Sequence, residues 1–179
     1  MGQQKQLLPF NDRTIIEHCI NSVIEAGISD VVVVLGTEGK EISKTIRALP
    51  VTVAVNDVPE SDMAESVRVG LKTVMNDPTG ILICLADHPL VRPETVKALL
   101  ARHQANPASI IIPSFNRRRG HPTLFPKDII QEIFDRNSLR DVIAAHAGII
   151  FYENTEDAGV VLDMDTPQDY ERILRKFSN

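Results

Sequence analysis

Cysteine, basic charge and long apolar runs are all scarce in this sequence. The two cysteines, Cys19 and Cys84, lie in helix-like and strand-like apolar segments, so they are typical of core residues in a reduced cytoplasm rather than of a disulfide or metal site. The net charge of −5 argues against a nucleic-acid partner, because binding to phosphate backbones needs concentrated Lys and Arg. No apolar run approaches the ~18 residues of a membrane span, and no signal peptide precedes the domain. These absences predict a cytoplasmic protein without a membrane partner.

Several common catalytic motifs are absent as well. The sequence has no Ser/His/Asp order of a hydrolase, no H-E-x-x-H, no C-x-x-C and no P-loop pattern. The sequence therefore argues against hydrolase triads, zinc sites and P-loop ATPases. The basic run Arg117–Arg119 is too short for a duplex footprint and has the size of a phosphate-ester contact.

Apolar periodicity predicts that strands and helices alternate over most of the chain. A capping box at Thr14–Glu17 predicts the start of a helix, and Ser138, Pro93 and Thr166 mark three further helix starts. The predicted strands cover 31–35, 51–55, 81–85, 109–113, 123–125, 149–152 and 160–162. The 179 residues suit one domain, and the fold class is α/β with a mostly parallel sheet and helices on both faces.

The segment Ile81–Leu85 is the strand around which the predicted sheet is arranged. Its unbroken apolar run, which ends shortly before Asp87, is typical of a central strand buried on both faces. Ligands of open α/β sheets bind beyond the carboxyl ends of the strands, so Asp87 stands where a phosphate-bound Mg²⁺ would lie. Alternatively, Asp87 only stabilises the next turn through an Asx-type hydrogen bond.

Three polar loops are expected at the same edge of the sheet: 56–63, 87–91 and 163–165. Carboxylates that converge there would suit a hard divalent cation that bridges phosphates. Thr166 and Asp169 are largely explained as the start of the last helix. Asp163 and Asp165 exceed what capping needs, so at least one of them is predicted to be functional.

Five segments in order carry a resemblance to the nucleotidyltransferases that act on molybdenum cofactor. They are Met1-Gly2-x-x-Lys5-x-Leu7-Leu8-Pro9, Met63-Ala64-x-Ser66-Val67-Arg68-x-Gly70-Leu71, Ala86-Asp87-x-Pro89, Arg119-Gly120-His121-Pro122-x-Leu124-Phe125 and Asp163-x-Asp165-Thr166-Pro167-x-Asp169-Tyr170. The fourth segment resembles the cytidylyltransferase-like branch, which includes molybdopterin cytidylyltransferase and the xanthine dehydrogenase accessory proteins.

The resemblance implies a Rossmann-like three-layer sandwich in which a molybdopterin phosphate attacks the α-phosphorus of CTP and releases pyrophosphate. It implies that Lys5 and Asp87 are catalytic and that Asp87 and Asp165 hold Mg²⁺, although Asp163 stays open as the second ligand. Six residues would contact the nucleotide: Lys5, Asn56, Met63, Ala64, Ser66 and Asp87. Arg119 and His121 would face the acceptor, because the Arg fork binds two phosphate oxygens at once. A loop histidine that only satisfies backbone carbonyls is the alternative for His121.

The sequence departs from the family pattern at its N-terminus. A first β-strand and a glycine-rich L-A-A-G-x-S-x-R turn precede the position of Met1 in the family, and they are absent from this sequence, so we expect a truncated form of the domain. Without that strand, the segments 31–35 and 81–85 are expected either to flank a gap or to pair directly.

Two other functions stay open at this point, as does the choice between CTP and GTP. The chain could be a non-catalytic accessory module that hands the cofactor to a molybdoenzyme such as xanthine dehydrogenase, since the phosphate loop is missing. It could also be a nucleotidyltransferase with a sugar or polyol phosphate acceptor, since an acidic centre alone does not name the substrate.

Overall fold

Helices and strands alternate along the chain in a computed structural model that describes residues 4–177; Met1 and Gly2 of the first motif lie outside the described residues. The helices are α1 (Ile15–Glu25), α2 (Lys40–Thr45), α3 (Met63–Thr73), α4 (Pro93–Ala105), α5 (Lys127–Ile130), α6 (Leu139–Ala145) and α7 (Pro167–Phe177). The strands are β1 (Pro9–Phe10), β2 (Arg13–Thr14), β3 (Val32–Gly36), β4 (Thr52–Asn56), β5 (Gly80–Ile83), β6 (Ile110–Phe115), β7 (Arg118–Arg119), β8 (Thr123–Pro126) and β9 (Ile150–Asn154).

Side-chain caps confirm the predicted starts of α1 and α6. Thr14 and Glu17 form the reciprocal capping box of α1, in which the Thr14 backbone N–H donates to Glu17 Oε2 at 2.8 Å. The Ser138 hydroxyl accepts from the Asp141 backbone N–H at the start of α6. These caps satisfy backbone donors that no helical hydrogen bond can reach.

The strands form a parallel pair and a larger sheet. β3 and β4 pair in parallel, with Val33 opposite Val53. In the five-stranded sheet, β8 lies antiparallel between β5 and β6, and β6 pairs in parallel with β9. β5, β6 and β9 therefore run in the same direction, and the main strands follow the parallel arrangement that the sequence predicted.

Helix α3 packs across both groups of strands. A Cβ on its Gly70 would lie 3.2 Å from Val34 Cγ2 of β3, and its Leu71 packs in the same apolar cluster as Ile81 of β5. Within residues 4–177, β3 pairs only with β4 and β5 only with β8. Of the two expected arrangements, direct pairing of β3 with β5 therefore does not occur. One edge of each of the two strands therefore has no ladder partner among the described residues.

Two local predictions differ from the structure. Residues of β5 are half-buried rather than buried on both faces, because one of its edges has no neighbouring strand among the described residues. The predicted strand 160–162 is replaced by a 3-10 turn at Ala158–Val161. This apolar run is too short to compete with the hydrogen bonds that hold the turn.

A hairpin follows β6, in which β7 pairs antiparallel with the end of β6. Arg119 lies opposite Ser114 and Arg118 opposite Phe115. Asn116 and Arg117 have φ angles of 50° and 62°, the left-handed conformation that two-residue hairpin turns need at both central positions. None of the helices described between residues 4 and 177 is both long and apolar enough to cross a membrane.

His103 lies on the buried face of α4. It is 6% exposed, and its Nε2 lies 3.1 Å from the Thr79 hydroxyl. Burial lowers the pKa of His103, and a hydrogen bond with the backbone of Thr79 only partly opposes this effect. The folded protein therefore resists protonation of this ring more than the unfolded chain does.

We expect this histidine to make the protein less stable in mild acid. Because the folded-state pKa lies below the unfolded value of 6.5, the stabilisation is fully present above about pH 6.5 and is lost as the pH falls through the folded pKa. In His103→Gln, the melting temperature should fall less than in the wild type between pH 7.5 and pH 5.5. Gln104→Ala, on the exposed side of the same helix, is the matched control. An unchanged pH dependence in His103→Gln would contradict this expectation.

Candidate active site

The structure brings three predicted residues together where the loops after β5 and before α7 meet. Lys5 Nζ donates to Asp87 Oδ2 at 3.0 Å and to Asp165 Oδ1 at 2.9 Å. Asp87 follows the end of β5, and Asp165 comes just before α7. The Met164 backbone N–H donates to the Asp87 carbonyl at 3.1 Å, which fastens the two acidic loops to each other. One ammonium group thus contacts both carboxylates.

Lys5 is strongly favoured in its charged form at this position. Partial burial lowers its pKa, but the hydrogen bonds and negative charges of Asp165 and Asp87 outweigh this effect and raise the pKa above its ordinary value. The Asp87 side chain is 23% exposed and that of Asp165 is 64% exposed. Asp87 is therefore the more buried carboxylate of the cluster, and Asp165 is the more exposed one.

The cluster fits a divalent cation. Asp87 Oδ1 is buried and has no hydrogen-bond partner among the described residues, and no Asx-type bond to the following turn is formed there. No group of three or more His, Cys, Asp and Glu side chains in residues 4–177 could hold a metal. Mg²⁺ needs fewer protein ligands, because it keeps several waters and is usually bound by one or two carboxylates together with substrate phosphates.

Two histidines stand beside Asp87. His88 Nε2 lies 3.8 Å from Asp87 Oδ1, and the rings of His88 and His121 meet edge to face with their centroids 5.3 Å apart. Burial and the neighbouring His88 lower the pKa of His121, although Asp87 and Asp163 oppose this effect. His121 Nδ1 is buried without a hydrogen-bond partner among the described residues. The ring is therefore held neutral next to the acidic cluster.

The residues predicted to contact the nucleotide lie after β4 and at the start of α3. Asn56 is 2% exposed, and its amide donates to the hydroxyls of Ser61 at 2.9 Å and Ser66 at 3.1 Å. Ala64 is buried, whereas Met63 is 52% exposed. These side chains fix the loop against the helix. None of them is hydrogen-bonded to the Lys5 cluster in the described part of the chain.

Arg119 is placed differently from His121, although both belong to one motif. It is exposed on β7, and its guanidinium carbon lies 5.2 Å from the centroid of the Tyr152 ring. It makes no ion pair with a described carboxylate. His121 thus packs against His88 beside Asp87, whereas Arg119 lies over Tyr152.

A family model described as a MobA-like NTP transferase domain matches residues 1–149. The chain belongs to this MobA-like family. It is accordingly a nucleotidyltransferase enzyme, and the resemblance drawn from the five motifs is confirmed.

Relatives of this MobA-like chain align with nearly its whole length. Molybdenum cofactor cytidylyltransferase from Escherichia coli strain K12 is 24% identical over 180 residues, which cover 99% of this chain and 91% of the relative. Nicotine blue oxidoreductase from Paenarthrobacter nicotinovorans is 25% identical over 187 residues, with coverages of 95% and 87%. The structure of Rv0371c from Mycobacterium tuberculosis H37Rv in complex with manganese has a TM-score of 0.79 and 29% identity, with coverages of 97% and 93%. This similarity confirms the predicted nucleotidyltransferase fold.

The sequence did not single out three residues that organise this MobA-like site. His88 was treated only as part of the turn after Asp87, and Arg68 only as a motif residue. In the structure, Arg68 Nε donates to the Ile133 carbonyl at 2.9 Å and Nη2 to the Arg136 carbonyl at 2.7 Å, so this motif position has a structural role. Asp157 is a buried carboxylate with 4% exposure. In the sequence, Asp157 is marked only by its position two residues before Gly159, a pattern too common to predict a role for it.

Proposed function

We propose that this chain is a Mg²⁺-dependent nucleotidyltransferase that transfers CMP from CTP to the phosphate of a molybdopterin-type acceptor. The observation that carries the proposal is the contact of Lys5 with both Asp87 and Asp165. Such a reaction needs little covalent chemistry from the protein, which must position two anionic substrates and neutralise charge on their phosphates. A cationic side chain between two carboxylates suits that task.

The chemistry assigned to the cluster is a displacement at the α-phosphorus of CTP. An oxygen of the acceptor phosphate forms the new bond to this phosphorus, the bond to the bridging oxygen of the β-phosphate breaks, and pyrophosphate leaves with that electron pair. Lys5 would neutralise the triphosphate. Asp87 and Asp165 would hold Mg²⁺, which supplies Lewis-acid stabilisation when it is bound.

The nucleotide is assigned to the side of the site formed by the loop after β4. Asn56 and Ser66 would hold this loop in shape, and Met63 and Ala64 would lie against the nucleotide at the start of α3, where backbone N–H groups face outward. CTP is chosen over GTP because the E. coli relative is named a cytidylyltransferase.

The acceptor is assigned to the opposite side, next to His121. This neutral ring would donate to or accept from the acceptor phosphate without adding charge to the cluster. Arg119 would bind a more distant part of the acceptor, since its guanidinium stacks on Tyr152 rather than pointing to Asp87. A molybdopterin-type acceptor is proposed because the E. coli relative is named for molybdenum cofactor.

Release of pyrophosphate from defined pairs of substrates tests this proposal. The chain should release pyrophosphate when CTP, Mg²⁺ and molybdopterin cofactor are all present, and much more slowly when GTP replaces CTP. Faster release with a sugar or polyol phosphate would overturn the proposed acceptor. Tight binding of the cofactor without any release of pyrophosphate would instead favour an accessory protein that passes the cofactor to a molybdoenzyme.

A further inference from the structure

Asp157 is a buried carboxylate that joins two separate parts of the chain. Its Oδ2 accepts from the Arg92 backbone N–H at 2.9 Å and from the Thr95 hydroxyl at 2.7 Å. Its Oδ1 accepts from the Gly159 backbone N–H at 2.9 Å. Arg92 is the N-cap of α4 but provides no side-chain cap of its own. Asp157 therefore caps α4 from outside and holds the turn Ala158–Val161 to the helix.

That turn contacts both loops that carry the site histidines. The Gly159 carbonyl lies 3.4 Å from His88 Nδ1, and the Val160 carbonyl accepts from the His121 backbone N–H at 2.8 Å. A Cβ on Gly159 would lie only 2.2 Å from the Leu90 carbonyl oxygen, and one on Gly120 only 2.5 Å from the Val160 carbonyl oxygen. The three backbone segments thus approach more closely than any side chain would allow.

We propose that Asp157 is a positioning residue of the active site. It fixes the turn Ala158–Val161 against α4, and the turn fixes His88 and His121 in their places beside Asp87. The part of this inference that concerns acceptor binding rests on the proposed function, because it needs His121 to face the acceptor. The part that concerns the placement of the rings depends only on the hydrogen bonds.

Asparagine cannot replace Asp157 in this arrangement. Both carboxylate oxygens accept hydrogen bonds, but an amide has only one oxygen and presents donors on its other side. In one orientation, its NH₂ group would face the Gly159 N–H; in the other, it would face the Arg92 N–H. Either orientation leaves a buried backbone donor unpaired, and such a donor destabilises the folded arrangement. We therefore expect Asp157→Asn to loosen the turn.

The side-chain NMR signals of the histidines measure this effect directly. The chain has five histidines, so each ring can be resolved in a heteronuclear spectrum at pH 8, where unperturbed imidazoles are neutral. Asp157→Asn should shift the ring signals of His88 and His121 and leave those of His18 and His146 in place. Asp128→Asn, on the exposed surface of α5, is the matched control and should move neither of the two site signals.

A second variant keeps the test informative if Asp157→Asn does not fold. Thr95→Val removes one of the three donors to Asp157 and keeps the shape of the side chain, so it should shift the same two signals to a smaller extent. Unchanged signals of His88 and His121 in a folded Asp157→Asn protein would overturn the inference. Equal shifts in all the resolved histidines would also overturn it, because they would indicate a general loss of structure.

Steady-state KM values for the acceptor and for CTP distinguish a failure of this inference from a failure of the proposed function. If the chain transfers CMP, Asp157→Asn should raise the KM for the acceptor on the order of tenfold and leave the KM for CTP nearly unchanged, since misplacement of a positioned group by a fraction of an ångström has effects of this size. Selective ring shifts in a chain without transferase activity would support the positioning role and contradict the proposed function. A KM increase confined to CTP would overturn the assignment of Asp157 to the acceptor side.

Discussion

Replacing Asp87 by asparagine is expected to lower the turnover number by about 100-fold or more while the protein stays folded, because charge stabilisation at a reacting phosphate is typically worth that much. Asp87 is the more buried carboxylate of the cluster, with a side chain that is 23% exposed. The amide keeps the shape but removes the negative charge, so both Lys5 and a bound Mg²⁺ would lose their closest anionic partner. Initial rates of pyrophosphate release at saturating CTP measure the change.

Three further variants show whether the position of the charge matters. Asp165→Asn should also lower turnover strongly, and Asp163→Asn should do so much less, because Asp165 rather than Asp163 contacts Lys5. Asp141→Asn, in the first turn of α6, removes the same charge far along the chain and should keep wild-type turnover. Near-normal activity in a folded Asp87→Asn protein would remove Asp87 from the catalytic machinery.

Replacing Lys5 by methionine is expected to change the binding of nucleotide and of free metal in opposite directions. The ammonium now occupies both carboxylates, so its removal frees them for a cation and should tighten the binding of Mn²⁺ in the absence of nucleotide. The same change removes the positive charge that the triphosphate needs, so kcat/KM for CTP should fall on the order of 100-fold. Titration calorimetry with Mn²⁺ alone and with CTP, together with initial rates, measures the two effects.

Lys44→Met is the control for this prediction. Lys44 forms an exposed ion pair with Glu41 on α2, and exposed pairs of this kind contribute little. This variant should therefore bind Mn²⁺ and CTP as the wild type does. If Lys5→Met weakened the binding of Mn²⁺, Lys5 would not be a competitor for the two carboxylates.

Local chemistry made most of the helices and the acidic residues of the site predictable. Thr14 with Glu17 and Ser138 with Asp141 are recognisable caps because the partners lie three residues apart. Asp87 stood out because it follows an apolar strand. The order of the motifs then added Lys5 and Asp165, which are far apart in the sequence but share hydrogen bonds in the structure.

Contacts between distant segments could not be predicted in the same way. The hydrogen bonds of Asp157 to Arg92 and Thr95 span more than 60 residues, and no periodicity reports them. The insertion of β8 between β5 and β6 depends on strand pairing rather than on the composition of either strand. The orientation of Arg119 over Tyr152 depends on the register of the hairpin between β6 and β7. Tertiary packing decides each of these features.

The fate of the α-phosphate of CTP tests the proposed activity most directly. With CTP labelled at its α-phosphorus, Mg²⁺ and molybdopterin cofactor, the label should appear in the acceptor, and unlabelled pyrophosphate should be released in equal amount. Asp87→Asn should abolish most of this transfer under the same conditions. Label that stayed in CTP, or that appeared only in free CMP while the acceptor remained unlabelled, would contradict nucleotidyl transfer to this acceptor.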